Sequence, residues 1–240
     1  MSVSTVYSES PKQGNYSIEI IGEEEVAAAL GDLKSKTPAA IKVAVNATWR
    51  EARKLMIAKA KARYAVNAAG AKHLKDLAPR KKATNSKPYA ILYIASMRND
   101  LGYFDYAPKG VHTGVDVFRN APPLVKARVL KASQRKPLTG EAHLSKGFVL
   151  EFKSGHVGMV QRVIGSSSKN VKTRNGYERW RNREGKVEKT QTMGSPSATA
   201  MHRTIWPEVR PDVEEFLIKR LDQQVQKVIE RAARKAKAKK

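Results

Sequence analysis

TPAAIKVAVNATWREARKLM, residues 37–56, is the stretch from which the rest of the chain is read. Thr37 offers an N-cap hydroxyl. Pro38 suits the first helical position, where its fixed φ is right and its missing N–H is not needed. Ile41, Val45, Thr48, Trp49, Ala52, Leu55 and Met56 then recur with the 3.6-residue period of one helix face. The spacing predicts an amphipathic helix, extendable through Tyr64 to about Gly70, with Arg50, Arg53, Lys54, Lys59, Lys61 and Arg63 on its other faces. That basic side reads either as a contact surface or as the solvated face of a core helix.

Toward the N-terminus, residues 1–15 carry several serines, Pro11 and Gly14 and read as a flexible arm. Tyr16–Ile21 alternates as a short strand, and Glu23–Leu30 reads as a short helix with acids in its first turn and a stop at Gly31.

Toward the C-terminus, 80–87 is a basic, polar loop, and Tyr89–Ser96 is apolar and β-branched enough for a buried strand. Asp100–Val111 reads as turn, and Val125–Ala132 as a further strand. Phe148–Phe152 and Val157–Ile164, joined by Ser154-Gly155-His156, read as a β-hairpin. Residues 165–193 form a basic loop in which Arg174, Arg179, Arg181 and Arg183 surround Trp180, a pairing that stacks on bases or pins the loop to its own domain. Ser195-Pro196 starts a helix over Ser197–Ile205, broken at Pro207 and Pro211. Asp212 caps a last amphipathic helix with Val213, Leu217, Leu221 and Val225 on its stripe, which frays into a basic tail at 231–240. The expected fold is α+β: an antiparallel sheet packed on a long N-terminal helix and a C-terminal amphipathic helix, in a single domain over 16–230.

The chain has 240 residues, with 46 Lys and Arg against 22 Asp and Glu, a formal charge of +24. Such a field favours polyanionic or acidic partners and is silent about fold. There are no cysteines, which removes disulfides, thiolate metal sites and cysteine nucleophiles. Neither a signal-like apolar core near the N-terminus nor an apolar run of about 18 residues is present, so the expectation is a protein outside the membrane. The histidines, His73, His112, His143, His156 and His202, lack metal-binding spacing. Neither a phosphate-binding Gly-Lys-Ser/Thr nor a Gly-x-Ser-x-Gly elbow occurs, and Ser154 beside His156 sits in a turn that gives the pair no common face. These patterns point away from an enzyme and from a cofactor, a metal or a small-molecule substrate. For nucleic acid the signal is electrostatic alone.

Phe148, Phe152, Ser154-Gly155-His156, Gly158 and Gln161-Arg162, followed by Gly194, Pro196-Ser197, Met201 and the terminal helix, resemble the phage minor tail protein Z family. These are the tail completion proteins of long-tailed phages and prophages, and the resemblance covers residues 35–230. The chain departs from the pattern in the expanded turn Gly194-Ser195-Pro196-Ser197 and in the long basic insertion before it.

The resemblance implies a structural virion protein that assembles with itself into a hexameric ring at the head-proximal end of the tail and enables head–tail joining. Its implied neighbours are the tail terminator, the tail tube and the head–tail connector proteins, with DNA passing through the ring. Its implied place is the virion neck, and the host cytoplasm during assembly. Ser154, Gly155, His156, Gly158, Arg162, Gly194, Pro196 and Ser197 would build the hairpin and turn rather than catalyse. Arg50, Lys54, Arg174, Arg179, Trp180, Arg181 and Arg183 are the candidate partner contacts, expected to face acidic neighbours rather than the channel. The alternative is a DNA-binding accessory protein that uses the basic loop and tail, with affinity falling steeply in log salt.

Overall fold

Helix α2 (Thr37–Arg63) buries Ala40, Ile41, Ala44, Val45, Thr48, Ala52, Met56 and Ala60, while Trp49 and Leu55 are half-buried at the margins of that stripe. The computed structural model describes residues 9–10, 13–18, 23–94, 99–109, 124–152, 154–167 and 188–238. The helix ends at Arg63 and not near Gly70, because the next backbone groups are claimed elsewhere. Ala65 N–H donates to Val129 C=O (2.8 Å), Asp105 N–H donates to Ala65 C=O (2.7 Å), and Asn67 N–H donates to Tyr103 C=O (2.9 Å). A short helix, α3 (Ala68–Leu74), follows.

The chain forms two compact units, each assembled from separated segments. The first takes residues 1–60, 74–97 and 198–240, the second 61–73 and 98–197. In the first, β1 (Glu9–Ser10), β2 (Gln13–Ile18), β3 (Leu77–Lys81) and β4 (Ala90–Ile94) make an antiparallel sheet in the order β1-β2-β4-β3. One face of β4, Ala90, Leu92 and Ile94, is buried. Side chains of α2 tie it to the β3 segment. Asn46 exchanges two hydrogen bonds with the Ala83 backbone (2.9 and 3.1 Å), and Arg53 donates to the carbonyls of Leu77 (2.5 Å) and Lys75 (3.0 Å). Helix α1 (Glu23–Leu30) adds Val26 and Leu30 to the core.

The unit is closed by α4 (Ala198–Lys237), a single helix of 40 residues. The break expected at Pro207 and Pro211 does not occur. Each proline removes one helical donor, but Arg203, Thr204, Pro207 and Pro211 are all exposed, so the missing bonds fall on the outer side of the helix. Met201, Ile205, Trp206, Val209, Val213, Leu217, Leu221 and Val225 meanwhile continue an unbroken buried stripe. The residues read as a basic tail from 231 remain helical through Lys237.

The second unit holds two three-stranded antiparallel sheets. One is β5 (Asp105–Ala107), β6 (Lys126–Arg128) and β7 (Lys136–Pro137), and the other is β8 (Phe148–Glu151), β9 (Val157–Val163) and β10 (Lys189–Thr192) in the order β10-β9-β8. The α+β class, with antiparallel sheets, a long N-terminal helix and a C-terminal helix, agrees with the residue pattern. Several strands do not: β5 lies inside Asp100–Val111, the segment read as turn, because it pairs with β6. β1 and part of β2 lie inside the segment read as a flexible arm, paired through Glu9↔Gly14 and Ser10↔Gln13. β3 begins ahead of the segment read as loop, and tolerates Pro79 because it is an edge strand with a register shift at that point. Residues 189–192, read as loop, pair with Val160–Val163.

The exposed prolines give a direct test. Pro211→Ala restores a helical donor on a solvated face and is expected to raise stability by about 1 kcal/mol, less than the full cost of roughly 3 kcal/mol for an interior proline because proline also stiffens the unfolded chain. Leu217→Ala, in the buried stripe, is expected to lower it by about 2–5 kcal/mol. Urea unfolding midpoints of the two variants check both signs.

Candidate functional site

Phe148, Leu150 and Phe152 alternate toward one side of β8 and pack with Val160 of β9, so the hairpin carries its own small core. The turn is closed by Gly155 N–H donating to Phe152 C=O (2.9 Å) and Phe152 N–H donating to His156 C=O (2.8 Å). Gly155 has φ +73°, a left-handed backbone that side chains disfavour. This geometry returns the His156 ring over the hairpin, stacked on Phe152 at 5.8 Å.

His156 meets a carboxylate that the sequence does not pair with it. Its Nε2–H donates to Asp100 Oδ2 at 2.6 Å, and Asp100 Oδ1 accepts from the N–H groups of Gly102 (2.7 Å) and Met159 (3.1 Å). Asp100 is 5 % exposed, so its charge is offset by these donors rather than by water. The fit leaves no room for a side chain at Gly158, where a Cβ would lie 2.6 Å from Asp100 Oδ2 and 2.8 Å from a Phe152 ring carbon. Tyr103 completes the assembly, tilted against His156 at 5.3 Å and stacked on His73 at 4.7 Å. One carboxylate thus fixes the hairpin, the 3-10 turn Leu101–Tyr103 and the start of β9 together. A carboxylate-oriented imidazole is also the arrangement that tunes histidines in reactive sites. Here its donors and stacking partners all belong to the elements it joins. Among the described residues no group of three or more His, Asp or Glu is placed to hold a metal ion.

The other expected residues spread out. Arg162 lies beneath the same hairpin with its guanidinium 4.6 Å over the Phe148 ring, and burial pushes its pKa down while Glu188 opposes the shift. Its backbone N–H donates to Ser145 Oγ (2.9 Å), and its carbonyl accepts from Ser145 N–H (2.9 Å). Ser154 is exposed on the turn; Gly194 and Pro196 are exposed between β10 and α4, and Ser197 is half-buried just before α4. Arg50 and Lys54 belong to α2 in the first unit. Arg50 sits 6.0 Å from the Trp49 ring centroid, and Lys54 pairs with Glu51 at 3.2 Å. Arg174, Arg179, Trp180, Arg181 and Arg183 lie outside the described residues. Asp100, Tyr103 and His73 are the members that sequence reading misses. A signal for Asp100 exists, since an Asp two residues before Gly102 is placed to cap a turn, as it does here.

A second carboxylate organises the β5-β6-β7 sheet. Asp105 accepts from Arg135 through both oxygens (3.0 Å each) and from Arg128 Nε at 2.8 Å. The Arg135 hydrogen bond holds the Asp105 carboxyl below its usual range, with partial burial pulling the other way and Arg128 reinforcing Arg135.

Asp100→Ala strips a buried acceptor from Gly102 and Met159 and is expected to cost about 3 kcal/mol, with Gly158→Ala comparably destabilising through its collision with Asp100. Wild-type urea midpoints in either variant would remove Asp100 from its organising role. For Asp105 the folded pKa is depressed, so its contribution is present above the unfolded value near 4 and is lost as pH falls through the folded one. Asp105→Asn should therefore destabilise at pH about 7, with the gap to wild type narrowing as pH falls below the unfolded value near 4 in paired denaturation curves.

Set against known proteins, the chain matches no family model, no curated protein sequence and no solved structure.

Proposed function

We propose that the chain is a structural protein of a phage tail that completes the head-proximal end as a ring and makes tails competent to join heads. The observation that carries this reading is what becomes of the hairpin residues on which the resemblance rests. Phe152, His156 and Gly158 meet Asp100 at one closed junction and Phe148 packs with Val160 in the adjoining hairpin core, so these residues are used to build the fold. An assembly protein uses a motif in this way: invariant geometry inside, variable contacts outside. The exposed cations then provide the contacts. They suit acidic neighbouring proteins better than the wall of a channel through which DNA must slide, because a cationic lumen would hold the phosphates back. The partners of this reading are further copies of the chain, the tail terminator, the tail tube and the connector, and its place is the virion neck.

Electron microscopy of particles produced with the gene disrupted tests it. The expected result is filled heads and full-length tails that remain separate, and joined, infectious virions would overturn the reading.

A further inference from the structure

Acids are scarce in this chain, and Glu23-Glu24-Glu25 is its one run of three. These residues form the first turn of α1 and line a cavity of roughly 700 Å³, together with Lys34 and the start of α2 at Thr37 and Pro38. Lys34 is the one cation among these lining residues, and Glu25 has a partner of its own, so the lining is acidic on balance. Thr37 supplies an independent sign that something binds there. The residue is 3 % exposed, and its hydroxyl oxygen is buried with no hydrogen-bond partner. An unpaired buried hydroxyl is unfavourable, and an entering N–H donor would relieve it. Carboxylates and an orphaned hydroxyl oxygen together call for a cationic donor, an ammonium or a guanidinium, as the occupant.

The chain carries that chemistry itself. Val225 is the last buried residue of α4, and the helix continues for three more turns with its side chains largely exposed. Lys227, Arg231, Arg234 and Lys235 fall on one side at i, i+4, i+7 and i+8, and Glu230 is the last acid. No residue of α4 lines the cavity within one copy.

We propose that the Glu23–Glu25 cavity of one copy receives the exposed cationic end of α4 from a second copy. The contact joins two different patches and is therefore head-to-tail, the kind that closes rings when the rotation permits. It also brings together surfaces that would each repel their own kind in a chain of charge +24. The inference deepens the ring reading and depends on it for biological setting alone.

Sedimentation velocity of the full chain tests it, at about 0.1 mM protein and an ionic strength of about 0.05 M, where exposed charges are weakly screened. The wild type is expected to associate and to dissociate at about 0.5 M salt. Glu23→Lys with Glu24→Lys, or Arg231→Glu with Arg234→Glu, is expected to weaken association by about tenfold or more. Combining both pairs reverses the polarity of the contact and should restore association to within about threefold, which a merely misfolded variant would not do. A wild type that stays monomeric, either pair associating as wild type does, or a combination that fails to restore association overturns the contact. The two readings fail separately. Charge-swap rescue alongside infectious virions from the disrupted gene would leave the contact standing without the tail function, whereas separated heads and tails with no charge dependence would do the reverse.

Discussion

Burial of the α4 stripe is the constraint on which the first unit depends. Residues 1–60 and 74–97 supply two helices, the 3-10 segment Gly31–Lys36 and a four-stranded sheet, and the chain then leaves for a hundred residues before α4 returns to cover them. Val26, Leu30, Ile41, Val45, Met56 and Leu92 are almost wholly excluded from water in the finished unit. The return has an entropic cost, which rises slowly with loop length, and apolar burial must exceed it. This explains why α4 tolerates two prolines. Burial of the stripe from Met201 to Val225 outweighs the loss of two helical donors. Helix propensity predicts a break at Pro207 and Pro211. Tertiary packing decides otherwise.

The second unit is organised differently. Its strands are three to seven residues long apart from the two-residue β7, too short to bury a broad apolar face, and a buried carboxylate does part of the joining. Asp100 gathers two backbone donors and one imidazole, and the close approach of Gly158 lets β9 reach it. Directional bonds of this kind fix position more sharply than apolar contact, because a buried carboxylate left short of donors is unfavourable and slippage of the hairpin would leave it so. Removing the acceptor at Asp100 and filling the space at Gly158 are two ways of disturbing one arrangement.

How much of this could be read from the residues depended on whether the signal was local. The α2 stripe, the first-turn acids of α1, the β4 strand and the hairpin around Gly155 are patterns within a few residues, and each forms near its expected place. The end of α2 is not local. Ala65 and Asn67, just past Arg63, bond instead to Val129, Tyr103 and Asp105, which lie far along the chain. β3 and β10 were hidden for a related reason, since Pro79 and the polar run Lys189–Thr192 have little strand character and owe their state to the partner strand. Of the candidate site, Ser154, Gly155, His156 and Gly158 were visible as a turn. Asp100 shows only as a capping residue, because nothing in a linear sequence couples it to a histidine 56 positions on.

The distribution of charge follows from the same distinction between local and distant partners. A formal +24 suggests a surface of interchangeable cations, yet several are committed within the fold. Arg53 binds two carbonyls at β3, Arg128 and Arg135 share Asp105, Lys59 meets Glu208 at 3.0 Å, and Arg162 lies over Phe148. Guanidinium groups dominate this set, as expected where a planar donor must satisfy two acceptors or cover a ring. The end of α4 is of another kind, with cations that project from a helix whose body has passed beyond its own core. Net charge alone cannot separate these roles, because it counts a pinned arginine and a projecting lysine equally. Burial separates them: among the described residues, the pinned cations lie against the fold's own acceptors and rings, whereas those after Val225 project from a helix with no further buried residue.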